Sequence, residues 1–296
     1  MSGADGFPGF ASRHIAVHGA TIHARIGGDG PPLTLLHGYP QSHLMWRKVA
    51  PQLARHFTVV VPDLRGYGLS SAPASSRGEA YSKRVMADDI VSLMRNLGFP
   101  LFSLAGHDRG GRVAYRLALD YAKTVEKLAV LDITPTAEMW RGMDAGRAMK
   151  VYHWMFLAQP EPLPETLIAG APRLYVDHTL ASWTAKHALE CFGEALPHYR
   201  AAFADPARVH AMCEDYRAGA TLDREADEAD FAAGKKIEAP LLALWGDAGI
   251  PAAGASPLDV WKAWANDVRG QVIAGGHFLP EESPEPTLQA LMDFFT

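Results

Sequence analysis

Apolar residues come in short unbroken runs along this chain, at Leu33–His37, Phe57–Pro62, Leu101–Ala105, Leu128–Asp132, Leu241–Trp245 and Gln271–Ala274. Runs that do not alternate with polar positions fit parallel strands covered on both faces. Helical spacing lies between them. Met86, Ile90, Leu93, Met94 and Leu97 line one stripe, which Gly98 closes at a C-cap position, and Val113, Leu117 and Tyr121 line a second. Strand alternating with helix predicts an α/β fold whose mostly parallel sheet is flanked by helices. The rhythm stops over residues 135–236, which are rich in Ala, Trp, Tyr, His and Met and hold no convincing strand; it resumes at Ala239-Pro240-Leu241. The pattern predicts a core domain of residues 1–134 and 237–296 and an inserted helical cap domain of residues 135–236. Such a cap would close over the strand ends, where α/β sheets hold their ligands.

The chemistry concentrates where the third of these runs meets a helix. Gly106-His107-Asp108-Arg109-Gly110-Gly111 has the spacing of a nucleophile elbow, G-x-S-x-G, with Asp108 at the serine position. A carboxylate is already ionised at neutral pH and suits attack on a saturated carbon that carries a leaving group. The intermediate would be an ester of the enzyme, which water must cleave. In folds built on this elbow, one amide of the oxyanion hole comes from the loop after an earlier strand and one from just after the nucleophile. His37-Gly38-Tyr39-Pro40 supplies that loop, so the two amides would be those of Tyr39 and Arg109. Gly275-Gly276-His277 follows the last strand, which makes His277 the candidate base. The acid that orients it would normally follow the penultimate strand, where Gly249 occupies the usual acidic position. Asp132 closes the strand next to that of the nucleophile and is the better candidate, with Asp247 as runner-up. Arg109 and Arg112 flank the elbow. A buried arginine there needs an anionic partner, and the two together form a plausible clamp for the carboxylate of a small anionic substrate.

Composition narrows the field. With 28 basic and 33 acidic residues among 296, a net charge of −5 offers no electrostatic case for nucleic acid. No basic start leads into an apolar stretch at the N-terminus, and no run approaches a membrane span. Cys191 and Cys213 match no zinc spacing and make no disulfide framework. These features predict a cytoplasmic enzyme with reduced cysteines, no metal and no cofactor.

On these motifs the chain resembles the α/β-hydrolase superfamily, and within it the fluoroacetate (haloacetate) dehalogenases. The resemblance runs from His37-Gly38-Tyr39-Pro40-Gln41 through Asp63-Leu64-Arg65-Gly66-Tyr67-Gly68 and the elbow to the terminal Gly-Gly-His. Two stretches of the helical region also look like this family, His153-Trp154-Met155-Phe156-Leu157-Ala158-Gln159-Pro160 and Cys213-Glu214-Asp215-Tyr216-Arg217-Ala218-Gly219. The resemblance implies that His153, Trp154 and Tyr216 donate hydrogen bonds to a departing halide. It also implies that the acid follows the strand after the elbow, as Asp132 does, and that the protein is a homodimer. Trp183 is a further candidate for the pocket wall.

Two rival readings stand beside the dehalogenase. An epoxide hydrolase uses the same Asp-His chemistry with cap tyrosines as acids, a role open to Tyr152, Tyr175, Tyr199 and Tyr216. Arg109 weighs against it, because a neutral substrate favours an apolar wall. A non-catalytic binder of small acids would be expected to lack Asp108 or His277, and both are present.

Overall fold

The computed structural model describes residues 6–251 and 256–296. Eight strands form one sheet: β1 (Ala11–Val17), β2 (Ala20–Gly27), β3 (Pro32–Leu36), β4 (Thr58–Pro62), β5 (Phe102–His107), β6 (Val125–Leu131), β7 (Leu241–Gly246) and β8 (Val268–Ile273). Their order is β1-β2-β4-β3-β5-β6-β7-β8. From β4 to β8 the neighbours are parallel, and β2 alone runs against the rest, antiparallel to both β1 and β4. The central strands β3, β4 and β5 are almost wholly buried, which is why they read as unbroken apolar runs.

The β1–β2 hairpin is an addition to the sequence reading. β1 is a largely exposed edge strand with polar residues on it, so it leaves no apolar run to detect. Strand ends also differ. β5 continues through Gly106 and His107, two residues past the apolar run, because backbone pairing with β6 extends to His107 opposite Leu131. β8 starts at Val268 rather than Gln271 and lies at the other edge, where most of its residues are exposed.

Helices pack on the sheet as the periodicity predicts. α1 (Lys83–Asn96) is capped by the Ser82 hydroxyl, which accepts from the Val85 amide, and buries Met86, Ile90, Leu93 and Met94. Gly98 takes the positive φ of 88° that ends it. α2 (Asp108–Asp120) follows β5 directly. Between β6 and β7 the described chain is helical, and its elements include α3 (His153–Leu157), α4 (Pro172–Trp183), α5 (Pro206–Ala220) and α6 (Leu222–Ala232). Residues 252–255 lie outside the described part, after which α7 (Pro257–Trp264) and α8 (Pro284–Phe295) cover the sheet. No helix among the described residues is long and apolar enough to cross a membrane. Cys191 and Cys213 are free thiols.

Candidate active site

Parallel pairing aligns the ends of β3, β5, β6 and β8, so the loops that follow them meet at one edge of the sheet. Leu36 pairs with Gly106, His107 with Leu131, and Gly246 with Ile273. Tyr39, Asp108, Asp132 and His277 emerge just beyond these pairs.

Asp108 sits at the turn from β5 to α2 with φ 47°, a conformation rare for a residue with a side chain. The turn holds because the neighbouring loop presses on it. A Cβ at Gly38 would lie 2.4 Å from the Asp108 Cβ, so only glycine permits that approach. The Tyr39 amide donates to Asp108 Oδ1 at 2.9 Å, where the sequence places one of the two oxyanion donors. The Arg109 amide makes no hydrogen bond to Asp108 among those described. The second carboxylate oxygen, Oδ2, is 3.9 Å from Nε2 of His277. That nitrogen is buried and has no hydrogen-bond partner among the described residues.

Nδ1 of His277 lies 2.6 Å from Asp132 Oδ2. Asp132 is itself fixed by the amides of Gly246 at 2.9 Å and Ile250 at 3.1 Å. It too is at positive φ, 53°. Asp247, the runner-up, is exposed and accepts from the Gly275 amide at 2.9 Å, with no bond to His277. The absence of a side chain at Gly249 also has a reason, since a Cβ there would fall 2.1 Å from Asp132 Oδ1. One acid occupies this space, and the other position is kept empty for it.

Electrostatics separates the two central groups. Burial raises the Asp108 carboxyl, but His277, His107, Arg109 and Arg112 together bring it below the ordinary carboxylate value. Burial opposes charge on His277, and the Asp132 hydrogen bond, Asp132 and Asp108 outweigh it, so its pKa lies above the ordinary imidazole value. Asp108 is thus an anion beside a histidine that readily takes a proton.

Arg109 and Arg112 project from the first two turns of α2, three residues apart, and both are buried. One inference from the sequence needs correction here. The anion that a buried Arg109 requires is in the protein, since Asp215 Oδ1 accepts from Nε at 3.0 Å and from Nη2 at 2.5 Å. Burial of Arg109 therefore does not by itself demand a charged substrate. Arg112 spends Nη1 on Thr134 O at 3.0 Å and Thr136 Oγ1 at 3.1 Å. Two buried donors stay unspent among the described residues, Nη1 of Arg109 and Nε of Arg112.

The residues implied by resemblance gather against these arginines. The Arg112 guanidinium carbon is 4.5 Å from the Trp154 ring centre, and that of Arg109 is 4.3 Å from the Tyr216 ring centre. His153 and Tyr216 meet edge to face, with ring centres 5.5 Å apart. The Tyr216 hydroxyl and His153 Nδ1 are buried and unpartnered among the described residues. Burial pushes the Tyr216 phenol well above its usual value and the His153 imidazole down to about 3, so both are neutral near pH 7. Trp183 closes the cluster, 4.3 Å from the His153 ring and 5.4 Å from that of His277, and its carbonyl accepts from the His277 amide at 2.9 Å. Of the four candidate tyrosines, Tyr175 is bonded to Tyr39 and Tyr199 to Glu281. Sequence reasoning missed Asp215 and Lys83, whose contacts join segments far apart in the chain; the only local signal was an acid directly before Tyr216.

Comparison with known proteins bears on the family and the fold. The family model for the alpha/beta hydrolase fold matches residues 31–284. A fluoroacetate dehalogenase from Burkholderia sp is 43% identical over 98% of this chain and 95% of its own. A soluble epoxide hydrolase from Corynebacterium sp. (strain C12) is 32% identical over 94% of this chain and 95% of its own. The solved structure of an alpha/beta hydrolase from Nostoc sp PCC 7120 is 50% identical, covers 98% of this chain and 99% of that one, and superposes with a TM-score of 0.95. With an elbow, an opposed histidine and its acid on one parallel sheet, and likeness along nearly its whole length, the chain belongs to the alpha/beta hydrolase family.

Proposed function

We propose that the protein is a hydrolase of carbon–halogen bonds, acting on small 2-haloacids such as fluoroacetate and chloroacetate. The observation that carries this reading is the pair of arginines beside a carboxylate nucleophile, each with a buried N–H donor to spare. A carboxylate held there would bring its α-carbon toward Asp108. One oxygen of Asp108 then forms a C–O bond as the C–X bond breaks, and the halide leaves with the bonding pair. Fluoride is a poor leaving group because its concentrated charge is strongly hydrated. Tyr216, Trp154 and His153 would replace part of that hydration as the charge develops.

The second step returns the enzyme to its starting state. His277 takes a proton from water, whose oxygen adds to the Asp108 ester carbonyl, with the Tyr39 amide and, on this reading, the Arg109 amide opposing the new charge. The ester C–O bond breaks, glycolate leaves with the proton from His277, and the second water proton, left on the Asp108 carboxyl, passes to solvent to restore the carboxylate. The carbon is attacked once, so a chiral 2-haloacid gives the inverted 2-hydroxyacid.

The reading is tested by halide release from fluoroacetate and chloroacetate, with Asp108→Asn as the blank. Release of both ions by the native protein alone is expected, and absence of both would overturn the assignment. An epoxide hydrolase is the second reading. It is favoured by the free Tyr216 hydroxyl, which stays protonated and could donate to an epoxide oxygen, and by the Corynebacterium relative. Diol formation from a small epoxide without halide release from either acid would favour it.

A further inference from the structure

We propose that Lys83, which touches none of the predicted catalytic residues, is a positioning residue that sets the site's affinity for an anion by sharing the Asp215 carboxylate with Arg109. The inference rests on the haloacid reading and extends it to a residue outside the elbow.

Lys83 opens α1 and is 1% exposed. Burying an ammonium is costly, and a methionine would fill the same space without that cost, so the charge itself needs a reason. Its Nζ contacts Asp215 Oδ1, the same oxygen that accepts from Nε and Nη2 of Arg109. The other Asp215 oxygen accepts from the Tyr67 hydroxyl at 2.7 Å, and the Asp215 carbonyl accepts from Arg109 Nη2 at 2.5 Å. Lys83 also faces Asp223, with Oδ2 3.4 Å from Nζ and Oδ1 accepting from the Lys83 amide at 2.7 Å. With burial opposing, Arg109 and Lys83 hold the Asp215 carboxyl well below the ordinary range, so it remains an anion.

Three buried cations, Lys83, Arg109 and Arg112, thus stand against three buried carboxylates, Asp108, Asp215 and Asp223. Without Lys83, the Arg109–Asp215 pair would close on itself and the cluster would carry a surplus negative charge. A substrate carboxylate would then enter against that charge, beside an anionic nucleophile. In a low-dielectric interior such an imbalance is felt across the cluster. Lys83 leaves Arg109 with attraction to spare for a ligand. Because Asp215 immediately precedes Tyr216, the same contact also fixes the helix turn that carries the proposed halide donor.

The test separates charge from packing. Chloroacetate kinetics are compared in the native protein and in Lys83→Met, which keeps the volume, and Lys83→Arg, which keeps the charge. KM should rise about tenfold in Lys83→Met, kcat should change much less, and KM should return to within about threefold of native in Lys83→Arg. The opposite ranking, with Met near native and Arg impaired, would make Lys83 a packing residue and overturn the proposal. Equal KM in all three would overturn it as well. If Lys83→Met does not fold, Lys83→Gln keeps a donor on Asp215 and drops the charge, and the same KM rise is expected. No chloride release by the native protein would instead defeat the haloacid reading, before any Lys83 variant is compared.

Discussion

His277 and His153 are both buried imidazoles, yet their surroundings drive them apart. Burial alone dominates at His153 and keeps it neutral, so it can offer an N–H to a leaving group without first losing a proton. At His277 burial is outweighed by Asp132 and Asp108, and the proton is held above the ordinary 6.5. The sign has a consequence for the two-step reaction proposed above. Attack by Asp108 does not need a neutral base, whereas ester hydrolysis does. Esterification removes the Asp108 charge that lies 3.9 Å from Nε2, which lowers the His277 pKa at the moment the base is required. On the proposed mechanism, a reactive substrate such as bromoacetate is expected to make hydrolysis the step that limits turnover. The acid limb of kcat should then fall at a lower pH than the titration of His277 in the free enzyme followed by NMR. Coincidence of the two would mean that Asp108 keeps its charge throughout.

At the scale of elements, the loops after β6 and β7 share one space. The side chain of Asp132 occupies it and that of residue 249 is absent. Substituting Gly249→Ala would force its Cβ to within 2.1 Å of Asp132 Oδ1, so the carboxylate or the turn must shift and His277 loses its alignment. Misplacement of this kind costs roughly 100-fold in rate, with the fold retained by circular dichroism. Full activity in the Ala variant would overturn the assignment of Asp132 as the acid that orients His277. The sequence carried the first half of this relation, since Gly249 visibly breaks an acidic pattern and Asp132 ends an apolar run. That the two compete for one volume depends on β6 lying beside β7 in register, Leu131 against Leu244. Helix α1 was legible down to its last turn because its apolar stripe and the closing Gly98 are both local; its Ser82 cap was not read from the sequence. The hairpin β1–β2 was not, because an exposed edge strand has no hydrophobic constraint to impose a pattern.

In the whole molecule, a buried carboxylate ties the helical segment to α2. Arg116 of α2 donates from Nη2 to Asp227 Oδ1 of α6 at 2.7 Å, and the Tyr115 hydroxyl donates to Oδ2 of the same carboxylate at 2.7 Å. The Ala137 amide adds a third donor at 3.2 Å. Removing one partner of a buried pair leaves the other unmatched, so Asp227→Ala should cost about 3 kcal/mol of unfolding free energy. A urea unfolding midpoint unchanged from native would mean that Asp230 and Asp120, which also contact Arg116, carry the tie alone.

The succession of strands from β3 to β8, the elbow with its carboxylate, the late histidine and the preference for Asp132 over Asp247 were all determined by the sequence itself. Each depends on local pattern or on chain order, and local pattern survives without coordinates. The partner of Arg109 was decided only in three dimensions. Asp215 lies 106 positions away from Arg109 and 132 from Lys83. Nothing in spacing or composition distinguishes a helical acid that faces a buried arginine from one that faces water. The charge balance of the site is therefore a property of the packed chain, because it is set by which distant groups burial brings together.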